Sequence, residues 1–275
     1  MGYQYSLAHL TVLGLAPPEM IYTARLAGYD YVSIRPILMG VPGERNYALA
    51  EQPEMLKQTK RALAETGVKV HDIELARVID GVDVKSYEPA MAVAAELGAK
   101  NIISSVWSDD TDYRTRQFAD LCDLAAKYDL TVGLEFVTFA AVRDLKTAKE
   151  LLDLVARPNA THMIDTLHFS RSRVALEELD TIPQKQLKFA HICDGPAEIP
   201  AMDDKSALIH TARDARLYVG EGAIDIAAII GKLPRDVVLS VELPHLERVA
   251  EYGYAEHARR CLATAKEYFA HHGLG

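Results

Sequence analysis

TVGLEFVTFAAVRDLKTAKELLDLVARPNATHMID, residues 131–165, holds one complete unit of the fold. It opens on a short apolar run that ends at Glu135 and continues through an amphipathic stretch at 145–156. It stops at Arg157-Pro158-Asn159 and closes on a second apolar run that ends at Asp165. Proline and asparagine punctuate the helical pattern, and strand, helix, strand in that order demands a parallel pair joined by a right-handed crossover. The same alternation extends in both directions. It predicts strands at 5–10, 31–34, 68–74, 101–105, 131–136, 162–165, 187–193 and 237–242. Between them it predicts helices at 18–27, 53–66, 87–97, 113–128, 145–156, 175–180, 224–232 and 255–271. Gly28, Gly67 and Gly98 stand just past three of those helices, where a left-handed cap favours glycine.

Eight such units in about 250 residues make a single (β/α)8 TIM barrel with parallel strands, read as one domain over 1–275. An open doubly wound sheet is the competing architecture. It would need a G-x-G-x-x-G after the first strand, and Gly220-Glu-Gly222 is too short and too late for that role. The segment 194–222 carries no clear pattern, and an irregular loop of that length in a compact domain points to function.

Composition narrows the partners. Of 275 residues 49% are hydrophobic and 25% charged, values that exclude a disordered or collagen-like chain. A net charge of −9 argues against a nucleic-acid partner, which asks for a basic footprint. Cys122, Cys193 and Cys261 are few, odd in number and far apart, as in a reduced protein without a disulfide framework. No basic segment followed by an apolar run opens the sequence, and no stretch nears the ~18 apolar residues of a membrane span. A cytoplasmic protein with no membrane partner is expected.

Four of the strands end on side chains that bind metals: Glu135, Asp165, His191 and Glu242. A buried charge is costly unless it is paired or coordinated. Spacings of 30, 26 and 51 residues place these four on strands five to eight, neighbours around the C-terminal rim where barrels hold their active sites. Three carboxylates and one imidazole form a site rich in oxygen, suited first to Mn²⁺, and also to Mg²⁺, Co²⁺ or Zn²⁺. Such an ion would accept two vicinal oxygens of a substrate and polarise its carbonyl.

Together, Glu135-Phe136, Asp165-Thr-Leu-His168-Phe169, the His191 strand, Gly220-Glu-Gly222-Ala-Ile-Asp225 and Ser240-Val-Glu242-Leu-Pro244 resemble the sugar phosphate isomerase/epimerase family of the xylose-isomerase-like barrel superfamily. The resemblance covers nearly the whole chain. It implies one divalent ion on Glu135, Asp165, His191 and Glu242, with the two glutamates doubling as the proton-exchanging pair. It gives His168 a substrate-binding or proton-transfer role and Arg216 a grip on substrate oxygens. By position, Glu74 at the third strand end and Trp107 after the fourth are candidates to line the pocket. The implied activity is isomerisation or epimerisation of a small keto-sugar, a sugar-phosphate-like substrate or a polyol, by proton abstraction beside a metal-bound carbonyl, and dimers or tetramers are usual in that family. Arg35, Arg77, Arg143, Arg171 and Arg173 near the rim hint at an anionic substrate. Inosose and dehydroshikimate dehydratases show that a lyase is the alternative on the same barrel, with His168 or His210 as the acid. A third reading is an abasic-site endonuclease, which the chain resembles at Glu135, Asp165, His168, His191, Asp214 and Glu242. The chain departs from it at Ser104, Ser105 and Arg216, where further metals would need histidines.

Overall fold

Residues 2–275 are described by a computed structural model. Eight strands run β1 (Gln4–Ala8), β2 (Tyr31–Ile34), β3 (Lys69–Val78), β4 (Asn101–Val106), β5 (Thr131–Glu135), β6 (Ala160–Asp165), β7 (Leu187–Ile192) and β8 (Val238–Val241). Each pairs in parallel with the next, and β8 returns to β1, so the sheet closes into a barrel with no free edge. The nine helices among the described residues are α1 (Pro17–Ala27), α2 (Pro53–Thr66), α3 (Glu88–Glu96), α4 (Thr111–Ala126), α5 (Leu145–Val155), α6 (Thr166–Arg171), α7 (Lys205–Asp214), α8 (Ile226–Gly231) and α9 (Leu246–His271).

Strands buried on both faces read as continuous apolar runs, and every residue of β6 and β8 is buried. Burying one such Leu, Ile, Val or Phe side chain stabilises the fold by about 1.5–3 kcal/mol. Inside the barrel Gly133 leaves room for a ring: a Cβ there would lie 3.2 Å from Phe189. Outside it, Met20, Ile21, Leu121, Leu151 and Ile230 seal the helices onto the strands. Five helices begin on an aspartate whose carboxylate accepts backbone N–H groups of the first turn: Asp110, Asp144, Asp165, Asp204 and Asp225. Such a cap satisfies donors the helix leaves open and complements its dipole.

The architecture is the expected one, with four local corrections. β3 does not stop at Glu74. Leu75, Ala76 and Val78 carry the apolar run four residues further, across a register shift against β4. The sixth helix starts at once after β6, capped by Asp165, and the predicted helix at 175–180 is a 3-10 turn over Leu176–Thr181. Within the supposedly patternless 194–222 lies α7, capped by Asp204 and held by Leu208 and Ala212. Finally, α9 begins at Leu246, and Gly253 interrupts its geometry with a positive φ of 73°. Among the described residues no helix is long and apolar enough to cross a membrane.

Candidate metal centre

Parallel strands deliver their last side chains to one rim, and four of them meet there. One donor atom each of Glu135, Asp165, His191 and Glu242 lies within 4.8 Å of all the others. Glu135, Asp165 and His191 come from β5, β6 and β7, and Glu242 follows β8 directly. All four are buried. His191 stands between the two glutamates, with Nδ1 3.8 Å from Glu135 Oε1 and 3.2 Å from Glu242 Oε2. Among the described residues neither ring nitrogen of His191 has a partner in hydrogen-bonding geometry, the 3.2 Å approach of Glu242 included.

Burial strains these charges, and the neighbours decide how each responds. Burial, and then the charge of Glu242, push the Glu135 carboxyl well above the ordinary carboxylate range. Glu242 goes the other way: burial would raise it, but His191 and Arg216 hold it ionised. His191 is pushed up to about 10, because Glu242, Glu135 and Glu74 outweigh the burial that would lower it. Two carboxyl groups at one site with pKa values driven apart are a usual basis for acid and base roles.

Asp165 is the hinge between fold and site. Its Oδ1 accepts the N–H groups of Leu167 (2.7 Å) and His168 (3.0 Å) as the cap of α6. Its Oδ2 accepts Arg216 Nη1 at 2.7 Å. A carboxylate oxygen has about two lone pairs, so Oδ2 keeps one for a cation. The orphaned imidazole and the carboxylates around it are a donor set that fits a divalent metal ion.

Arg216 borders the cleft, yet its guanidinium is committed to two of these carboxylates, Asp165 and, at 2.9 Å, Glu242. Its Nε donates to Ala212 O at 2.8 Å and its backbone N–H to Pro244 O at 3.2 Å. That makes it a clamp on Asp165 and Glu242 more than a free hand for substrate. His168 lies on the first turn of α6 and borders the same cleft. Burial lowers its pKa to about 4, so near neutral pH its ring is uncharged. Trp107 lines the cleft, its Nε1–H on Ser105 Oγ at 2.8 Å and its ring tilted against Phe139. Phe139 in turn meets His168 edge-on, with ring centroids 5.7 Å apart.

Glu74 does not line the cleft. With β3 running on to Val78, its carboxylate lies below the rim, accepting Arg35 Nη2 at 2.7 Å and Ser33 Oγ at 2.8 Å. Arg35, in the cleft wall, covers it. Beneath, Ser33 also bonds Asp72, and Asp72 meets His71 Nδ1 at 2.9 Å, so that mid-strand pair is internally satisfied. Arg171 is buried behind α6 and donates to Pro196 O. His210 pairs with Asp214 on the exposed side of α7, away from the quartet, and His271 and His272 are exposed at the end of α9. Sequence reasoning missed Arg213 and Phe139 in the cleft wall. Arg213 belongs to the unrecognised α7, whose signal was Asp204 followed by Leu208, Ile209 and Ala212.

The match to a family model described as xylose isomerase-like TIM barrel runs over residues 21–264. The chain belongs to that family. An inosose isomerase of Bacillus velezensis is 25% identical over 265 residues, which span 87% of this chain and 86% of that protein. Among solved structures, a zinc-bound IolI protein superposes with a TM-score of 0.76 at 21% identity, covering 96% of this chain and 97% of its own. The probable 3-DHS dehydratase AsbF of Bacillus anthracis does so with a TM-score of 0.71 at 15% identity, over 93% and 97%. At such identities the two structures speak for the barrel alone. One protein that resembles the chain in sequence is thus named an isomerase, and one that shares its barrel a probable dehydratase.

Proposed function

We propose that the protein is a divalent-metal-dependent isomerase or epimerase acting on a keto-sugar, a sugar-phosphate-like substrate or a cyclic keto-polyol. The observation that carries this reading is the buried quartet around an imidazole with no hydrogen-bond partner. Likeness to an inosose isomerase over most of both chains supports the reaction type. The donor set favours Mn²⁺, with Mg²⁺, Co²⁺ and Zn²⁺ also accommodated, and the zinc-bound relative is compatible with that range.

Bound at Glu135, Asp165, His191 and Glu242, the ion would supply Lewis-acid polarisation of a substrate carbonyl. The rest falls to the chain's own groups. Glu135 and Glu242 flank His191 on two sides and differ in proton affinity, so one can take a proton beside the carbonyl and the other return it. Arg216 fixes Glu242 and Asp165 in place. Trp107 and Phe139 supply apolar walls that keep water from the carbanion-like centre.

A dehydratase is the second reading, favoured by one feature. His168 Nδ1 faces the Thr138 N–H at 3.4 Å, which assigns the ring proton to Nε2 and makes His168 a neutral donor for a departing hydroxyl. Metal-loaded protein incubated with inosose in D₂O separates the cases. Deuterium should enter the carbon beside the carbonyl, and E135Q and E242Q should each slow that exchange by about 10²–10⁴-fold. An altered ketone as product supports isomerisation, and a new enone absorbance supports dehydration. The absence of exchange with every candidate keto-polyol, keto-sugar and phosphorylated or carboxylated keto-sugar, and with every divalent ion, would sink both.

A further inference from the structure

Arg213 stands at the end of α7, half-buried, in the wall shared by the metal cleft and a neighbouring hollow of about 360 Å³. It makes no ion pair among the described residues. The acids around it are engaged elsewhere: Asp214 with His210, Glu74 with Arg35, and Asp165 and Glu242 with Arg216. Glu44 accepts the backbone N–H groups of Met39, Gly40 and Val41 and so pins the opposite loop. Arg77 is half-buried with no ion pair either, donating to Met39 O at 3.2 Å. Burial, then the like charges of Arg35 and Arg77, lower the pKa of Arg213. A partly buried cation facing other cations is unfavourable unless an anion joins it.

The surrounding chemistry says where that anion comes from. Leu13, Ile209, Leu246 and Val249 make the hollow largely apolar, and in such pockets a few placed polar groups fix the ligand. A guanidinium fork matches a carboxylate or a phosphate with two parallel hydrogen bonds. The hollow shares Leu10, Val41 and Arg213 with the cleft, so a molecule seated at the quartet would pass Arg213 on entering it. We propose that Arg213 is a substrate-recognition residue that binds an anionic group, carboxylate or phosphate, carried by the substrate beyond the oxygens nearest the quartet. This rests on the reading of the quartet as the reaction centre and narrows its substrate to an anionic one.

Titration calorimetry tests it on the metal-free protein, with inorganic phosphate and succinate as probes, for wild type, R213K and R213Q. The wild type should bind at least one probe, R213Q should bind it about tenfold more weakly or worse, and R213K should fall between. Tighter binding of phosphate points to a phosphoester substrate, and of succinate to a carboxylate. Mn²⁺ affinity, measured separately, should be the same within about twofold in all three proteins, which shows that the variants fold. Wild type binding neither probe, or R213Q binding both as well as wild type, overturns the proposal. Wild type that takes up no divalent ion overturns the metal reading instead, and the anion comparison still stands by itself.

Discussion

His168 takes its character from its immediate contacts. The Thr138 N–H points at Nδ1, the Thr138 hydroxyl lies 3.1 Å from the same nitrogen, and Phe139 closes one edge of the ring. A neutral imidazole with its proton on Nε2 donates a hydrogen bond and is a poor base at pH 7. On the proposed reading, His168 is expected to act after the first proton has been removed, not in removing it. H168F should leave deuterium exchange beside the carbonyl within a few-fold of wild type while turnover to product falls by about 10²-fold or more. H168Q, which keeps a donor, should recover part of the loss. Equal losses of exchange and turnover in H168F would instead make His168 part of the proton-abstracting step. Arg35 and Glu74 illustrate the opposite kind of residue, a buried ion pair whose members are committed to each other. Removing one partner of such a pair typically costs about 3–5 kcal/mol, so E74Q should lower the urea midpoint markedly.

Among the elements, the connection from β7 to β8 controls the site. Asp194, two residues past the strand, gathers four backbone N–H groups on one carboxylate, those of Gly195, Gly220, Gly222 and Ile224. The chain passes so close that a Cβ on Gly222 would lie 2.2 Å from Gly195 O and 2.5 Å from Asp194 Oδ1. Asp194 also exchanges two backbone hydrogen bonds with Leu217, the residue after Arg216, at 2.9 Å each. The carboxylate thereby positions the clamp that holds Asp165 and Glu242. D194N turns an amide NH₂ toward two of the four N–H groups, and G222A forces the loop outward. Loss of such supporting contacts typically weakens metal binding by about 10–100-fold, and both variants should show it in a Mn²⁺ titration while retaining the far-ultraviolet signature of the barrel. Unchanged affinity would mean that Arg216 is held by Ala212 and Pro244 alone. This connection is also where the sequence was least legible. Glu135, Asp165, His191 and Glu242 could be read because each ends a short apolar run, and strand order alone brings them together. Gly220 and Gly222 instead answer to a carboxylate some 26 residues away, and α7 is a short helix whose apolar stripe is only three residues wide. Glu74 was misplaced for a related reason, since an apolar run that crosses a register shift carries no mark of where pairing ends.

For the whole molecule, buried neutral histidines tie stability to pH. His9 is fully buried, its Nδ1 accepting the Arg35 N–H at 3.1 Å and its Nε2 bonding Leu15 O at 2.9 Å. His257 is fully buried between Tyr218 and Leu243 O. Burial pushes both down to about 4 from an ordinary 6.5. The first joins β1 to the start of the β2 loop, and the second ties α9 to the end of β8, so protonating either ring disturbs a bond near the barrel's closing seam. A group whose folded pKa lies below its unfolded value contributes stability that is complete above pH 6.5. That contribution is lost as the pH falls toward 4, because the unfolded chain takes up the proton first. Each histidine should add a slope of up to about 1.4 kcal/mol per pH unit to the unfolding free energy once the pH is well below 6.5. Urea denaturation at pH 7.5, 6.0 and 5.0, above most carboxylate titrations, should therefore show a steep loss of stability. H9Q and H257Q should start less stable at pH 7.5 but each follow a shallower slope. Parallel slopes for wild type and both variants would mean that these two rings stay neutral or solvated without cost, and that acid weakens the barrel elsewhere.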